Sequence, residues 1–281
     1  MQPAVQRVAV DGAELNVMVH GSGPPVVLVH GAVLADDFAP IAAEPELRDY
    51  QLIRYHRRGY AGSAGSPGPA SVERDAADCR AVLTALGVER AQAVGHSYGG
   101  AVVLQLAVDA PDLVHSLALL EPALLGVPSA AQLDEAFNPI GQAYASGDAA
   151  AAVDGFMRMF GGPSWRDSVE RRVPGGAAQA ERDAAATFES DVPALEAWQF
   201  GADQARRVRA PVLLVTGAAS GVLFEEIHDL VHALLPQTED MLLAGANHIF
   251  TVTHPRELAA GLAAFLRRHP LRSTSPVDGS V

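Results

Sequence analysis

Short apolar runs separated by turn residues dominate the first part of the chain. Residues 6–10 and 14–20 flank Asp11-Gly12 and predict a hairpin, because a tight turn needs residues that tolerate positive φ. After Gly21-Ser22-Gly23-Pro24-Pro25, residues 26–29 are continuously apolar, the pattern of a strand covered on both faces. Residues 51–55 and 91–95 predict two further strands. Between them, residues 71–86 predict a helix, with a Ser to cap its start and Gly87 to stop it. Residues 98–109 then predict a helix and 114–120 a strand. This alternation implies βαβ units and a mainly parallel sheet behind an antiparallel start.

The pattern breaks between about residues 122 and 200, where no stretch reads as a strand and Gly161-Gly162-Pro163 and Pro174-Gly175-Gly176 interrupt helical stretches. Alternation resumes with a strand at 211–215, a helix near 223–235, a short strand near 240–243 and a helix over 255–268. The predicted organisation is a core from 1–121 and 201–269, a helical insert over 122–200, and a loose Ser- and Pro-rich tail over 270–281. The insert has 79 of the 281 residues but 8 of the 16 aromatics: Phe137, Tyr144, Phe156, Phe160, Trp165, Phe188, Trp198 and Phe200. Such side chains either form the insert's own core or roof an apolar pocket. Both uses stay open, with Phe137, Phe156, Phe160, Trp165 and Trp198 as candidate substrate contacts.

Composition narrows the functional classes. At 49 % hydrophobic and 19 % charged, the chain is not a disordered one. The balance of 20 basic and 33 acidic residues, a net −13, disfavours nucleic acid and anionic membrane as partners. All the basic residues are Arg, so a Schiff-base lysine and the lysine of a phosphate-binding loop are both excluded. Cys79 stands alone, which excludes an internal disulfide and a cysteine-based zinc site. No cluster has metal-ligand spacing along the chain, and Gly21-Ser22-Gly23 is too short and too early for a dinucleotide site, so no metal or cofactor is expected. No secretory signal or run of 18 apolar residues is visible. The expectation is a cytoplasmic monomer or homodimer acting on a small apolar molecule.

The candidate chemistry centres on Gly95-His96-Ser97-Tyr98-Gly99, a G-x-S-x-G pattern between a predicted strand and a predicted helix. The bare pattern is weak; its place gives it meaning. A tight strand-to-helix turn with glycines on both sides sets the serine Oγ beyond the sheet's carboxyl end. The helix N-terminus beside it offers free N–H groups to a developing oxyanion. His30-Gly31-Ala32-Val33 closes the third strand, and its glycine lets backbone approach a ligand. The N–H groups of Ala32 and Tyr98 are the candidate oxyanion donors. His30 and Val33 are candidate pocket contacts, with a structural role the stronger reading for His30.

Together with the turn Arg57-Arg58-Gly59-Tyr60-Ala61-Gly62-Ser63, residues 211–217 and Gly245-Ala246-Asn247-His248, these motifs resemble, in order and spacing, the α/β-hydrolase fold family over about residues 3–121 and 201–268. The resemblance implies a mostly parallel eight-stranded sheet, a helical cap inserted after the sixth strand, and a triad in the order Ser, acid, His. It puts the general base at His248, with Ile249 as a further pocket contact. His96, His254 and the pair His228 and His232, one helical turn apart, are weaker candidates. The acid departs from the family's pattern: Gly217-Ala218-Ala219-Ser220 has Ser220 where an aspartate is usual. Some relatives, certain haloalkane dehalogenases among them, carry the acid after the sixth strand, which here ends in Glu121. A carboxylate closing an apolar strand is costly to bury without a partner. The expected partner is His248 Nδ1; a tie to backbone or arginine near the cap hinge is the structural alternative, and Glu225 and Glu226 are reserves. His56-Arg57-Arg58 reads as a loop-holding turn and Asp36-Asp37 as the cap of the first helix.

These residues predict a serine hydrolase that cleaves an ester, lactone, thioester or similar carbonyl bond through a Ser97 acyl-enzyme. The resemblance also admits carbon–carbon cleavage beside a ketone, and argues against dehalogenase or epoxide hydrolase chemistry, for which such relatives use an aspartate nucleophile. The competing expectation is a non-hydrolytic protein of the same fold, a cyclase, lyase, cofactor-free oxidase or ligand-binding protein with an incomplete triad.

Overall fold

The computed structural model describes residues 5–65 and 70–271. From residue 272 onward the expected tail lies outside the described residues. Strands β1 (Val5–Val10) and β2 (Ala13–His20) form the predicted hairpin, followed by β3 (Pro25–Val29). A short helix α1 (Ala39–Ala42) leads to β4 (Gln51–Tyr55). Helix α2 (Val72–Ala85) starts on the Ser71 hydroxyl, which accepts from the Arg74 N–H at 3.1 Å. Strand β5 (Ala91–His96) runs into α3 (Tyr98–Asp109), and β6 (Val114–Leu120) closes the first part of the sheet.

The insert is helical: α4 (Ala131–Ala145), α5 (Ala149–Gly161), α6 (Trp165–Arg172) and α7 (Gly176–Arg182), then a π-helical turn (Ala186–Asp191) and α8 (Val192–Ala197). A single turn, α9 (Ala202–Ala205), returns the chain to β7 (Val212–Gly217). Helix α10 (Val222–Leu234), β8 (Thr238–Leu243), α11 (Phe250–Thr253) and α12 (Pro255–Arg268) complete the fold. Among the described residues no helix is long and apolar enough to cross a membrane.

The eight strands form one sheet in the order β1-β2-β4-β3-β5-β6-β7-β8. β2 pairs antiparallel with β1 and β4, and every later pairing is parallel. The continuous apolar runs now have a physical reason, since each central strand feeds two layers. Val27 and Val29 pack with α2 and α3 on one face, while Val26 and Leu28 pack with α1 and α12 on the other. β6 and β7 divide their side chains the same way, Leu117 and Leu214 to the first layer, Leu120 and Val215 to the second. A third apolar cluster, containing Val33, Leu34, Met157, Trp165 and Ile249, joins the insert to the core.

Asp36 and Asp37 do not cap α1, whose N-cap is Phe38 with no side-chain hydrogen bond. Asp36 instead accepts from Arg54 and pairs with His56, each at 3.1 Å. Asp37 turns inward to the loop that follows β3, where its Oδ2 accepts from the Gly31 N–H at 3.2 Å.

Candidate active site

The carboxyl ends of β3, β5 and β6 meet beneath the insert, and backbone strain gathers there. Val33 (φ 70°), Ser97 (φ 53°) and Glu121 (φ 43°) are three of only four non-glycine residues with positive φ among those described. Such conformations persist only where the surroundings over-determine them, and they cluster at functional sites. At Ser97 the surroundings are explicit. Its N–H donates to the Leu120 carbonyl at 2.9 Å, and its own carbonyl accepts from the Ala123 N–H at 2.9 Å. A Cβ on Gly95 would sit 2.2 Å from the Gly99 oxygen, and one on Gly99 2.0 Å from the Val29 oxygen. Only glycine lets β5, α3 and β3 approach this closely, which is why the G-x-S-x-G pattern is needed here. Tyr98 opens α3 directly behind the serine, with Ala32 across the same cavity.

Glu121 is 1 % exposed and spends its carboxylate on two partners. Oε1 accepts from the Gly217 N–H at 2.8 Å, and Oε2 lies 2.6 Å from His248 Nδ1. The expected histidine contact and the backbone alternative therefore coexist, one on each oxygen. Ser220 Oγ is buried with no hydrogen-bond partner among the described residues. Glu226 binds the Ser129 N–H at 2.8 Å, and Glu225 is exposed.

Burial lowers the His248 pKa from its ordinary value, while the hydrogen bond to Glu121 pulls the other way and the neighbouring His96 adds to the lowering. The Phe224 ring stacks on His248, 4.3 Å between centroids and 19° from parallel. Behind it, His96 Nε2 lies 2.9 Å from the His248 carbonyl, and His96 Nδ1 lies 2.8 Å from Asp37 Oδ2. Asp37 thus ties the loop after β3 to the residue before Ser97, and through that residue to the backbone of His248.

Ser97, Tyr98, Ala32 and His248 share the wall of a cavity of about 420 Å³. The insert contributes Phe137, Phe156 and Phe160 to it, and α10 contributes Leu223, Phe224 and Ile227. Asp191 also borders the cavity, but its carboxylate receives Arg57 Nη1 at 2.8 Å, Arg57 Nη2 at 2.6 Å and the Tyr60 hydroxyl at 2.6 Å.

A family model described as the alpha/beta hydrolase fold matches residues 24–255. The chain belongs to that family. A fluoroacetate dehalogenase from Burkholderia sp is 26 % identical, with 92 % of each chain covered. A relative bearing the name carbamate hydrolase RutD, from Azorhizobium caulinodans, is 35 % identical over 108 residues, and the match spans 38 % of this chain and 41 % of that one. Among solved structures, a hydrolase from Pseudomonas aeruginosa PA01 superposes with a TM-score of 0.76 at 25 % identity, covering 93 % of this chain and 98 % of the other. The relatives support a hydrolase of the α/β fold.

Within this α/β-hydrolase fold, four of the expected pocket contacts lie elsewhere. His30 is buried under the loop after β3, where its Nε2 accepts from the Arg57 N–H at 2.9 Å and its Nδ1 meets the Gly31 carbonyl at 2.7 Å. Val33 and Trp165 are core residues of the joint between insert and sheet, and the Trp165 indole N–H donates to Asp154. Trp198 packs against α3 and donates its indole N–H to Gln105 at 2.9 Å. Ile249 packs in the same joint as Val33, against Gly161, and also lines a small pocket with Ser97 and His248 beside the main cavity. Large apolar side chains at the base of an insert are needed to hold it down, so aromatic content alone does not separate anchor from lining. Leu223, Phe224 and Ile227 were legible as one stripe of an amphipathic helix, but nothing in the sequence says which surface that stripe faces.

Burial pushes the Cys79 thiol up to about 12, so it is inert. The expectation of no metal-ligand cluster needs correction: among the described residues His228, His232 and Asp240 bring three ligand atoms within 4.8 Å of one another. Spacing along the chain hid this group, because β8 delivers the third residue.

Proposed function

We propose that this protein is a serine hydrolase that cleaves a carboxylic ester, lactone or thioester with an uncharged, apolar acyl group. The reading rests on the buried Glu121–His248 hydrogen bond of 2.6 Å, at a histidine that shares one cavity wall with the strained Ser97. With Nδ1 engaged by Glu121, Nε2 is the nitrogen left to take the Ser97 proton. The freed Oγ attacks the carbonyl carbon, and the N–H groups of Ala32 and Tyr98 stabilise the resulting oxyanion. Collapse expels the alcohol or thiol, which leaves with the proton held by His248. Water then loses a proton to His248 and attacks the acyl carbon. As the adduct collapses, that proton passes from His248 to the departing Ser97 Oγ, which frees the carboxylic acid and restores the neutral base. Glu121 holds the tautomer and stabilises the transient imidazolium.

The Glu121 carboxylate at His248 Nδ1 supports a complete triad despite Ser220 at the usual acid position. A dehalogenase reading is weaker on chemical grounds. Displacement of a halide by a serine Oγ leaves an ether, which water does not cleave, whereas an acyl-serine turns over. The apolar selection follows from the aromatic wall and from the neutralisation of Asp191 by Arg57.

A fluorophosphonate probe, with a panel of p-nitrophenyl esters of increasing acyl length, tests the proposal. Rapid labelling that disappears in Ser97→Ala, and turnover that peaks above acetyl length, are the expected results. Labelling that persists in Ser97→Ala, or no turnover of any ester by probe-free native enzyme, overturns it.

A further inference from the structure

Helix α10 walls the cavity with one face and carries a second feature on another. His228 and His232 stand one turn apart, with ring centroids separated by 4.6 Å. Strand β8, beside β7 at the edge of the sheet, brings Asp240 to both of them. The two Nε2 atoms converge on one oxygen, Asp240 Oδ1, at 3.2 Å from His228 and 2.8 Å from His232. A tetrahedral zinc ion, with nitrogen and oxygen ligands at about 2.0–2.2 Å, holds those ligands roughly 3.3 Å apart. The two separations from Asp240 Oδ1 are near those a bound ion imposes, and with all three ligand atoms within 4.8 Å of one another a rotation of the exposed side chains closes the set around an ion. His228 Nδ1 also lies 3.2 Å from Asp229 Oδ1. An outer carboxylate of this kind fixes the tautomer that aims the Nε2 lone pair at a metal. The side chains are 35 %, 32 % and 52 % exposed in the order His228, His232, Asp240, so an ion reaches them from solvent and keeps room for water.

We propose that His228, His232 and Asp240 form a binding site for a divalent transition-metal ion of the zinc class. Two imidazoles and one carboxylate suit zinc, nickel or copper, whereas calcium and magnesium require mostly oxygen ligands. None of the three residues touches the Ser97 cavity, so the site is separate from the hydrolytic one and does not depend on that reading. The ion cross-links α10 to the edge strand β8. Because α10 also carries Leu223, Phe224 and Ile227, the cross-link fixes the helix that forms one cavity wall.

The test uses the full chain without a histidine tag, titrated with zinc and with cobalt. Calorimetry is expected to give one ion per chain, with affinity at least tenfold weaker in Asp240→Asn and absent in His228→Ala/His232→Ala. Saturating zinc should raise Tm by roughly 5 °C in the native protein and not in the double variant. Cobalt should develop visible absorption of a low-coordinate site in the native protein alone. His269→Ala is the control, since that ring pairs with Glu239 on the same strand and should leave binding unchanged. Failure of the native protein to bind either ion at micromolar concentration overturns the site. So does binding whose stoichiometry and affinity survive in the double variant.

Discussion

Glu121 meets two needs with one carboxylate, and the consequences are testable one side chain at a time. Glu121→Gln keeps the size of the side chain and an oxygen for the Gly217 N–H, but removes the charge that faces His248. Loss of the acid in a comparable triad costs about 10⁴-fold in kcat, so steady-state kinetics should show a fall of at least 10²-fold with normal folding. A value within threefold of the native enzyme would make Glu121 structural. Adding Ser220→Asp to that variant should restore part of the rate if the buried, unpartnered Ser220 Oγ marks a position from which a carboxylate serves the same histidine. Ser97→Ala and His248→Ala should each cost about 10³-fold or more, and the double variant little beyond either, because the two act as a unit. The base must be neutral to accept a proton, and burial lowers the His248 pKa. The acid limb of kcat/KM is therefore expected below pH ~6.5, the ordinary imidazole value. Glu121→Gln, lacking the contact that raises this pKa, should move the limb further to acid. Stability follows the same sign: the unfolded chain binds the proton first. This residue's contribution is complete above pH ~6.5 and is lost as pH falls toward the lowered value.

Arg57 shows what the elements do together that none does alone. Its guanidinium joins three segments: α2 through Asp75 at 3.1 Å, the insert's π-helical turn through Asp191, and the loop after β3 through the Gly31 carbonyl at 3.0 Å and the His30 carbonyl at 3.3 Å. Burial and the neighbouring Asp191 push the Asp75 carboxyl up to about 6 even with Arg57 beside it. Asp191→Ala would leave the buried arginine partly unpaired, and removing one partner of such a pair typically costs about 3–5 kcal/mol. Urea denaturation is expected to register a loss of this order. The kcat should fall as well, since Arg57 also holds the loop that carries Ala32. An unchanged denaturation midpoint would show that the joint between insert and sheet rests on its apolar cluster alone. The sequence read Arg57 and Arg58 as loop-holding residues in general terms, but Asp191 lies 134 positions away and no local pattern announces it. Central strands were legible for the opposite reason, as double burial writes itself into continuous apolar runs such as Val26–Val27–Leu28–Val29. β8 begins two residues earlier than the apolar pattern suggests. Its Glu239 and Asp240 face partners on α12 and α10 rather than a core, so charged positions sit inside a strand.

At the scale of the whole molecule, the order of motifs carried the fold because the strand ends are marked by residues that break the apolar runs: Gly31 after β3, Ser97 after β5, Glu121 after β6 and, beyond β8, His248. What the sequence could not carry was the third dimension of the insert. Trp165 and Trp198 look like lining but serve as anchors, while Phe137, Phe156 and Phe160 reach the cavity. The insert has a further property that packing does not absorb, which is its charge. Residues 122–200 hold 11 acidic and 5 basic side chains, 5 − 11 = −6, within a chain of net −13. Asp191 is neutralised by Arg57, but Glu196 borders the cavity and is exposed. A substrate approaching this site therefore meets a field of one sign, reaching about 30 Å at 0.01 M salt and only a few Å at 1 M. An ester pair sharing one alcohol and one acyl length, neutral in one member and ending in a carboxylate in the other, isolates the effect. At low salt kcat/KM should favour the neutral ester by about tenfold or more. Added salt should narrow the gap by raising the rate for the anion, with little change for the neutral ester. The apolar wall would keep a residual preference at high salt, because a carboxylate buried there loses its hydration without gaining a cation. Equal rates at low salt, or an anionic rate that falls as salt is added, would mean that the insert's charge does not reach the substrate.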